Sequence, residues 1–291
     1  MSRTTEQMSG VLSYYKTPKK DSYYCGKLMG ACHFGYMKPS LGDWEQFNPL
    51  EAQHNMRELL RESLALPRGA CVLDAGSGYG VVAEHLRRYG GYNVYGIDLN
   101  QGRVSIADKY ARARKSPDGS TNFIVGDYGR IPFLADSMHG VFTCETLCHA
   151  PYLEEVLGEF YRVLRPGGRL VLHEYTIPPL EEMNPLAQAI AKAMIKRTGM
   201  SSIHRFTHGA FPDILSGIGF RNIDVRDITE GVIPHWRMLF WQAVAENVLP
   251  GKRLPGSEIN LTNTLASLGI YPTADLWNLW RYNIVSAEKP G

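Results

Sequence analysis

The chain has 291 residues, with 31 Lys and Arg against 29 Asp and Glu, a formal net charge of +2. That length lets one α/β domain with insertions bury a full core. A charge this balanced excludes the basic surface that nucleic-acid binding needs.

The N-terminal segment is crowded with rings. Tyr14, Tyr15, Tyr23, Tyr24, His33, Phe34 and Tyr36 stand in a stretch otherwise rich in Lys, Gly and Ser. Packing a sheet has no need of such an arm, so it reads as a lid that excludes water. Residues 50–66 read as a helix. A short apolar strand over 71–74 ends at Asp74, and glycines at alternate positions, Gly76, Gly78 and Gly80, open onto a helix over 80–90. Strand, glycine-rich turn and helix N-terminus let a backbone approach a nucleoside closely, because glycine has no Cβ to clash. The spacing is G-x-G-x-G, not the G-x-G-x-x-G of dinucleotide binders.

A second strand over 93–98 ends at Asp98, with Leu99 next. Its carboxylate can accept from both ribose hydroxyls, a device that NAD enzymes share. After a helix over 101–114, a strand over 122–126 leads into Asp127 and Tyr128. The strand over 139–144 runs into Glu145, with Cys148 and His149 just beyond. A helix over 152–164 and a strand over 169–175 follow. This alternation argues for a parallel sheet covered on both faces. Ligands then bind beyond the carboxyl ends of the strands, where Asp74, Asp98, Asp127 and Glu145 lie. The tail reads as a helix over 209–218 and strands over 221–228 and 281–288.

What remains, 1–55, 177–208 and 230–278, is too long for connecting loops and reads as a helical cap that decides the substrate. The core is then assembled from 56–176, 209–229 and 279–291. Within the cap, 231–249 reads as an amphipathic helix carrying His235, Trp236, Phe240 and Trp241. Its aromatics either pack on the core or wall an apolar pocket. Tyr271, Trp277 and Trp280 extend the same choice. The cysteines Cys25, Cys32, Cys71, Cys144 and Cys148 show no paired C-x-x-C spacing. Cys71 and Cys144 fall in expected core strands, so they read as buried free thiols of a reducing compartment. The polar start Met1–Gln7 lacks a signal-peptide core and no apolar run approaches the ~20 residues of a bilayer span, so a cytoplasmic protein without an integral membrane segment is expected.

The acid-G-x-G-x-G pattern around Asp74 resembles the first motif of class I S-adenosylmethionine-dependent methyltransferases. The Arg162-Val-Leu-Arg-Pro-Gly-Gly168 stop before an apolar strand is shared by many of their small-molecule members. The string from Glu145 through Cys148-His149-Ala150-Pro151 looks like the sterol C-24 methyltransferase group. The His33-Phe34-Gly35-Tyr36 element resembles that group and the tocopherol methyltransferases. Cys25-Gly-Lys-Leu-Met stands where sterol enzymes carry a Gly-Trp-Gly-like stretch, which weighs against a sterol substrate more than against the reaction. The resemblance implies a doubly wound, Rossmann-like α/β sheet of seven mostly parallel strands under a helical substrate cap. It implies S-adenosylmethionine as cofactor, with Asp74, Gly76, Gly78, Asp98, Leu99, Asp127, Tyr128 and Glu145 binding it. Asp98 would take the ribose, Asp127 the adenine amino group, and the Tyr128 backbone N–H an adenine ring nitrogen.

Two chemistries stay open at this point. Methylation of an alkene carbon leaves a carbocation, so the protein must exclude water, stabilise the cation with aromatic faces and supply a base. Tyr24, His33, Phe34, Tyr36, Trp236 and Trp241 would line such a substrate, and Glu145 and His149 are the candidate bases. Glu145 has a second reading as a partner of the cofactor's methionine amine, and His149 one as a structural helix-start residue. The resemblance favours a carbon of an isoprenoid or prenylated metabolite. N- or O-methylation of an alkaloid or phenol is the alternative, in which proximity and one base suffice. An NAD-dependent reductase and a non-catalytic partner subunit fit the glycine loop less well. No metal is expected: His204 and His208 could share a helix face, but no third ligand stands near them. The acceptor is read as a hydrophobic small molecule, and a homo-oligomer is left open.

Overall fold

Asn48 begins the described core. Its side chain accepts from the N–H groups of Leu50 and Glu51 at 3.0 and 3.4 Å, and Pro49 occupies the first turn of α1 (Pro49–Leu64). A side-chain oxygen there satisfies donors that the first turn cannot, and proline loses nothing at that position. The computed structural model describes residues 31–38, 47–113, 118–248, 270–272 and 279–291. Tyr14, Tyr15, Tyr23, Tyr24 and Trp277 lie outside the described residues.

The elements then run β1 (Cys71–Ala75), α2 (Val81–His85) with a π-turn over Leu86–Gly90, β2 (Asn93–Asp98), α3 (Gln101–Ala113), β3 (Ser120–Val125) and β4 (Met138–Cys144). They continue with α4 (Leu153–Val163), β5 (Leu164–Thr176), α5 (Pro185–Thr198), α6 (Phe211–Ile218), β6 (Arg221–Asp227), α7 (Thr229–Val248) and β7 (Arg281–Glu288). Seven strands form one sheet in the order β3-β2-β1-β4-β5-β7-β6. β1 to β5 pair in parallel, and β7 runs antiparallel between β5 and β6. Val72, Leu73, Val141, Phe142, Leu170 and Leu172 are fully buried. Parallel strands covered on both faces need such continuous apolar runs.

The strand order reverses between β1 and β4, which opens a crevice at their carboxyl ends. Beside it, α1 packs on β5 and β7, and α7 packs on β7. The described part of the arm, 31–38, is pinned between these two helices. The Tyr36 N–H donates to Ala52 O and the Met37 N–H to Gly231 O, both at 2.8 Å. A Cβ at Gly35 would stand 2.7 Å from the Ala52 carbonyl carbon, and one at Gly231 would stand 2.8 Å from Met37 O. Glycine at both positions is what allows the arm to lie this close to both helices.

Three details differ from the sequence reading. β5 starts at Leu164, before the Arg-Pro-Gly-Gly stop, which it carries as an irregular stretch with Gly167 at φ +73. Cys71 and Cys144 are half-buried, because each sits at an end of its strand and not in its middle. His204 lies in a 3-10 turn (Ile203–Arg205) while His208 follows an isolated bridge at Thr207, so the two do not share a helix face. No described helix is long and apolar enough to cross a membrane.

Candidate active site

At the end of β1 the backbone turns through Gly76, at φ +94, and a Cβ there would stand 2.7 Å from Thr146 Cβ. Only glycine lets this loop pass across the end of β4. Gly78 also has positive φ, +52, but a Cβ there would meet nothing within 4 Å. Its freedom serves the backbone, whose N–H donates to Asp98 Oδ2 at 2.8 Å. The Asn100 N–H donates to Oδ1, also at 2.8 Å. A carboxylate offers about four acceptor sites. Asp98 is therefore locked in place with capacity left for two hydroxyl donors.

Asp74 sits below this loop, 3% exposed, and its Oδ2 has no hydrogen-bond partner; Ser77 Oγ has none either. Burial, with a contribution from Asp98, holds the Asp74 carboxyl well above the usual range. A buried oxygen without a donor is a group awaiting one. The ammonium of an amino-acid moiety would supply both charge and N–H. On the far side, Asp127 Oδ1 accepts from the Gly129 N–H at 2.7 Å. The Tyr128 hydroxyl donates to Thr146 O at 2.9 Å and so ties the end of β3 to the end of β4. Leu99 follows Asp98 at the rim. These residues fit a nucleoside bearing an amino-acid tail.

The second half of the site centres on Glu145. It has φ +59, an uncommon conformation for a side-chain-bearing residue that costs of order 1 kcal/mol. Glu145 Oε1 accepts from the Phe34 N–H at 2.7 Å and the Tyr282 hydroxyl at 2.8 Å, and Oε2 from the Tyr175 hydroxyl at 2.6 Å. These donors pull its pKa down, but burial outweighs them and pushes it up to about 7. Glu145 thus joins arm, β5 and β7, and it can change protonation near neutrality. The Gly35 N–H donates to His235 Nδ1 at 2.6 Å, which ties the arm to α7 as well.

Phe34 lies inside a cluster of edge-on rings. Its centroid is 6.1 Å from Tyr175, 5.7 Å from His235, 5.8 Å from Trp236 and 6.4 Å from Tyr282. Tyr175 and Tyr282 face each other across the β5–β7 ladder, 5.5 Å apart. Tyr175, Trp236 and Tyr282 are all buried.

The structure brings most of the expected residues together and sets others apart. Tyr36 packs where Gly231 leaves room for its ring. His33 is buried, but its Nδ1 pairs with Phe34 O at 2.8 Å and its Nε2 with Arg57 at 3.3 Å, so it braces the arm. His149 Nδ1 donates to Gly199 O at 3.0 Å, joining the end of β4 to the end of α5, in keeping with its structural reading. Trp241 is 58% exposed and packs on Phe240. Trp236, named with it and five residues earlier on α7, is the tryptophan that contacts Phe34. Among the described residues no three His, Cys, Asp or Glu side chains group as metal ligands.

Sequence reasoning missed Tyr175, Tyr282, Glu174 and Arg57. Tyr175 could have been found from the alternation His173, Tyr175 on one face of β5. Its partner Tyr282 depends on an antiparallel register more than a hundred residues away. Glu174, fully buried on the other face, accepts from the Leu147 N–H at 2.6 Å, and burial pushes its pKa up to about 8.

A methyltransferase-domain family model matches residues 73–172. The S-adenosyl-L-methionine-dependent Diels-Alderase iccD of Talaromyces variabilis is 31% identical over 96% of this chain and 94% of its own length. Sterol 24-C-methyltransferase of Kluyveromyces lactis is 29% identical over 64% of this chain, which spans 49% of that enzyme's length. Among solved structures, the [4+2]-cyclase SpnF superposes with a TM-score of 0.71 at 20% identity, covering 98% of this chain and 96% of its own. A geranyl diphosphate methyltransferase in complex with GPP and sinefungin does so at 0.73 and 17%, covering 99% and 100%. The glycine loop, the acids at the strand ends and these likenesses agree: the chain is an enzyme of the S-adenosylmethionine-dependent methyltransferase family, and its cofactor is S-adenosylmethionine.

Proposed function

We propose that the enzyme methylates a carbon of a hydrophobic acceptor, an isoprenoid or prenylated metabolite, seated against Phe34, Tyr175, Trp236 and Tyr282. The observation that carries this reading is a buried aromatic cluster with a carboxylate of raised pKa, Glu145, at its edge. The cofactor, when bound, supplies an electrophilic methyl group. The chain's own residues do the rest. The arm over 33–37 excludes water, and the rings stabilise a developing alkyl cation, each by about 2 kcal/mol when desolvated. Glu145, ionised in part at neutral pH, takes the proton released as the cation collapses to an alkene. Asp98 and Asp127 hold ribose and adenine. Sterol 24-C-methyltransferases among the relatives support carbon as the target.

A second reading is favoured by one specific finding, the match along nearly the whole chain to an enzyme named as a Diels-Alderase. In that reading the same aromatic cluster folds a polyene into a cycloaddition geometry and the cofactor is retained. Counting S-adenosylhomocysteine per product, over a panel of prenylated and polyene acceptors, separates the two. One equivalent formed with a methylated product supports methyl transfer. Turnover to an isomer of unchanged mass, without S-adenosylhomocysteine, overturns it.

A further inference from the structure

Burial leaves several ring nitrogens at this cluster without partners. His235 is 1% exposed and Trp236 2%, and neither His235 Nε2 nor Trp236 Nε1 has a hydrogen-bond partner. The tautomer of His235 follows from its neighbour. The Gly35 N–H donates to Nδ1, so Nδ1 is the acceptor nitrogen. Burial pulls the His235 pKa down to about 4, so the ring is neutral and its one proton sits on Nε2. The indole N–H of Trp236 is a donor only. Two neutral donors, adjacent in sequence on α7, are thus buried with nothing to donate to. The Phe47 ring, 5.6 Å from His235, offers only the weak acceptor of an aromatic face. His173, fully buried with both ring nitrogens unpartnered, adds a third polar ring 6.4 Å from Tyr282.

Unpaired donors in an apolar interior are rare and costly; the Gly35 N–H accounts for the Nδ1 of His235, but nothing within the chain accounts for its Nε2–H or for an indole where phenylalanine would fill position 236. Both rings contact Phe34, the centre of the acceptor cluster described above. We propose that His235 Nε2–H and Trp236 Nε1–H are substrate-recognition donors for a carbonyl oxygen, so that the natural acceptor is an apolar chain bearing a ketone or related carbonyl. Neutral donors suit a neutral oxygen and not a diphosphate, which calls for cations. The inference rests on the acceptor lying among these rings. In methyl transfer a hydrogen-bonded carbonyl orients the chain, with the reacting double bond lying outside its conjugation; in cycloaddition it also withdraws electrons from a conjugated double bond.

The test uses the full chain saturated with S-adenosylhomocysteine and β-ionone, an isoprenoid enone, beside the deoxygenated hydrocarbon of the same skeleton. Trp236→Phe removes the N–H and keeps an apolar ring. His235→Asn keeps an acceptor for the Gly35 N–H and withdraws the Nε2 donor. Each variant should weaken β-ionone binding about tenfold and leave the hydrocarbon nearly unaffected. The carbonyl stretch of bound β-ionone should move to lower wavenumber in the wild type and recover toward its free value in the variants. Binding of S-adenosylhomocysteine at wild-type strength shows that each variant is folded. Equal losses for ketone and hydrocarbon, an unshifted carbonyl stretch, or no saturable binding of the ketone overturns the proposal. Because no turnover is required, these readouts stand apart from whether a methyl group is transferred.

Discussion

Replacing Asp98 with alanine is the perturbation whose size follows most directly from the geometry. In the free protein its two oxygens hold the Gly78 and Asn100 N–H groups at 2.8 Å each, and half of its acceptor capacity is left for the ribose. Alanine withdraws charge-assisted bonds to the ligand, each worth roughly 1.5–3 kcal/mol. It also frees the Gly78 N–H, so the loop loses a restraint that costs about 1 kcal/mol to restore on binding. Contributions of groups acting on one ligand do not simply add, so the expected loss is about one such bond, ten- to a hundredfold in Kd. Titration calorimetry with S-adenosylhomocysteine reads this directly, with NAD as the control ligand. Thermal melting without ligand should show only a small fall, because Asp98 is partly exposed at the rim and outside the apolar core. An affinity within twofold of wild type would remove Asp98 from the ribose site. A loss accompanied by equal loss of fold would refute the reasoning as well.

Asp127→Asn keeps the side-chain shape but can turn a donor toward the adenine amino group, so S-adenosylhomocysteine should bind more weakly at unchanged melting temperature; unchanged affinity would remove that contact. Gly231→Ala puts a methyl group against the Tyr36 ring and Met37 O, so the arm should shift and turnover fall by up to about a hundredfold. Cofactor affinity should hold, as measured by calorimetry beside steady-state rates. Glu174→Gln tests the buried carboxyl through pH. The folded pKa of Glu174 is raised to about 8 from 4.5, so its contribution to stability is full below the unfolded value and is lost as pH rises through 8. Glutamine does not titrate, so the variant should gain on wild type in melting temperature as pH goes from about 5 to 8.5. A constant difference across that range would mean Glu174 titrates normally.

The fold was legible because each element carried its own signal. Apolar runs ended in acids at Asp74, Asp98 and Asp127, and alternating glycines marked the turn that passes across the end of β4. The residues expected to hold the cofactor rest on such local signals, which is why they could be named one by one from the sequence. The acceptor half is not local. Glu145 was visible as a strand-end acid, but its three donors come from the arm, β5 and β7, whose meeting depends on tertiary packing. The tryptophans of α7 could not be ranked from sequence, since only the docked helix shows that Trp236 turns in and Trp241 out. Arg-Pro-Gly-Gly reads as a stop because proline and glycine end helices, yet the pairing of Leu164 with Met138 lets the strand begin before them.

The central claim is that the aromatic cluster beneath the arm directs a methyl group to carbon. Incubation with S-adenosylmethionine carrying a carbon-13 methyl and a prenyl ketone whose trisubstituted double bond is not conjugated to the carbonyl, followed by NMR of the product, tests it most directly. The account predicts one labelled methyl on a carbon that was an alkene position, and product far below the wild-type level when Glu145 is changed to glutamine. Label on oxygen or nitrogen, or an unlabelled product isomeric with the ketone, would contradict it.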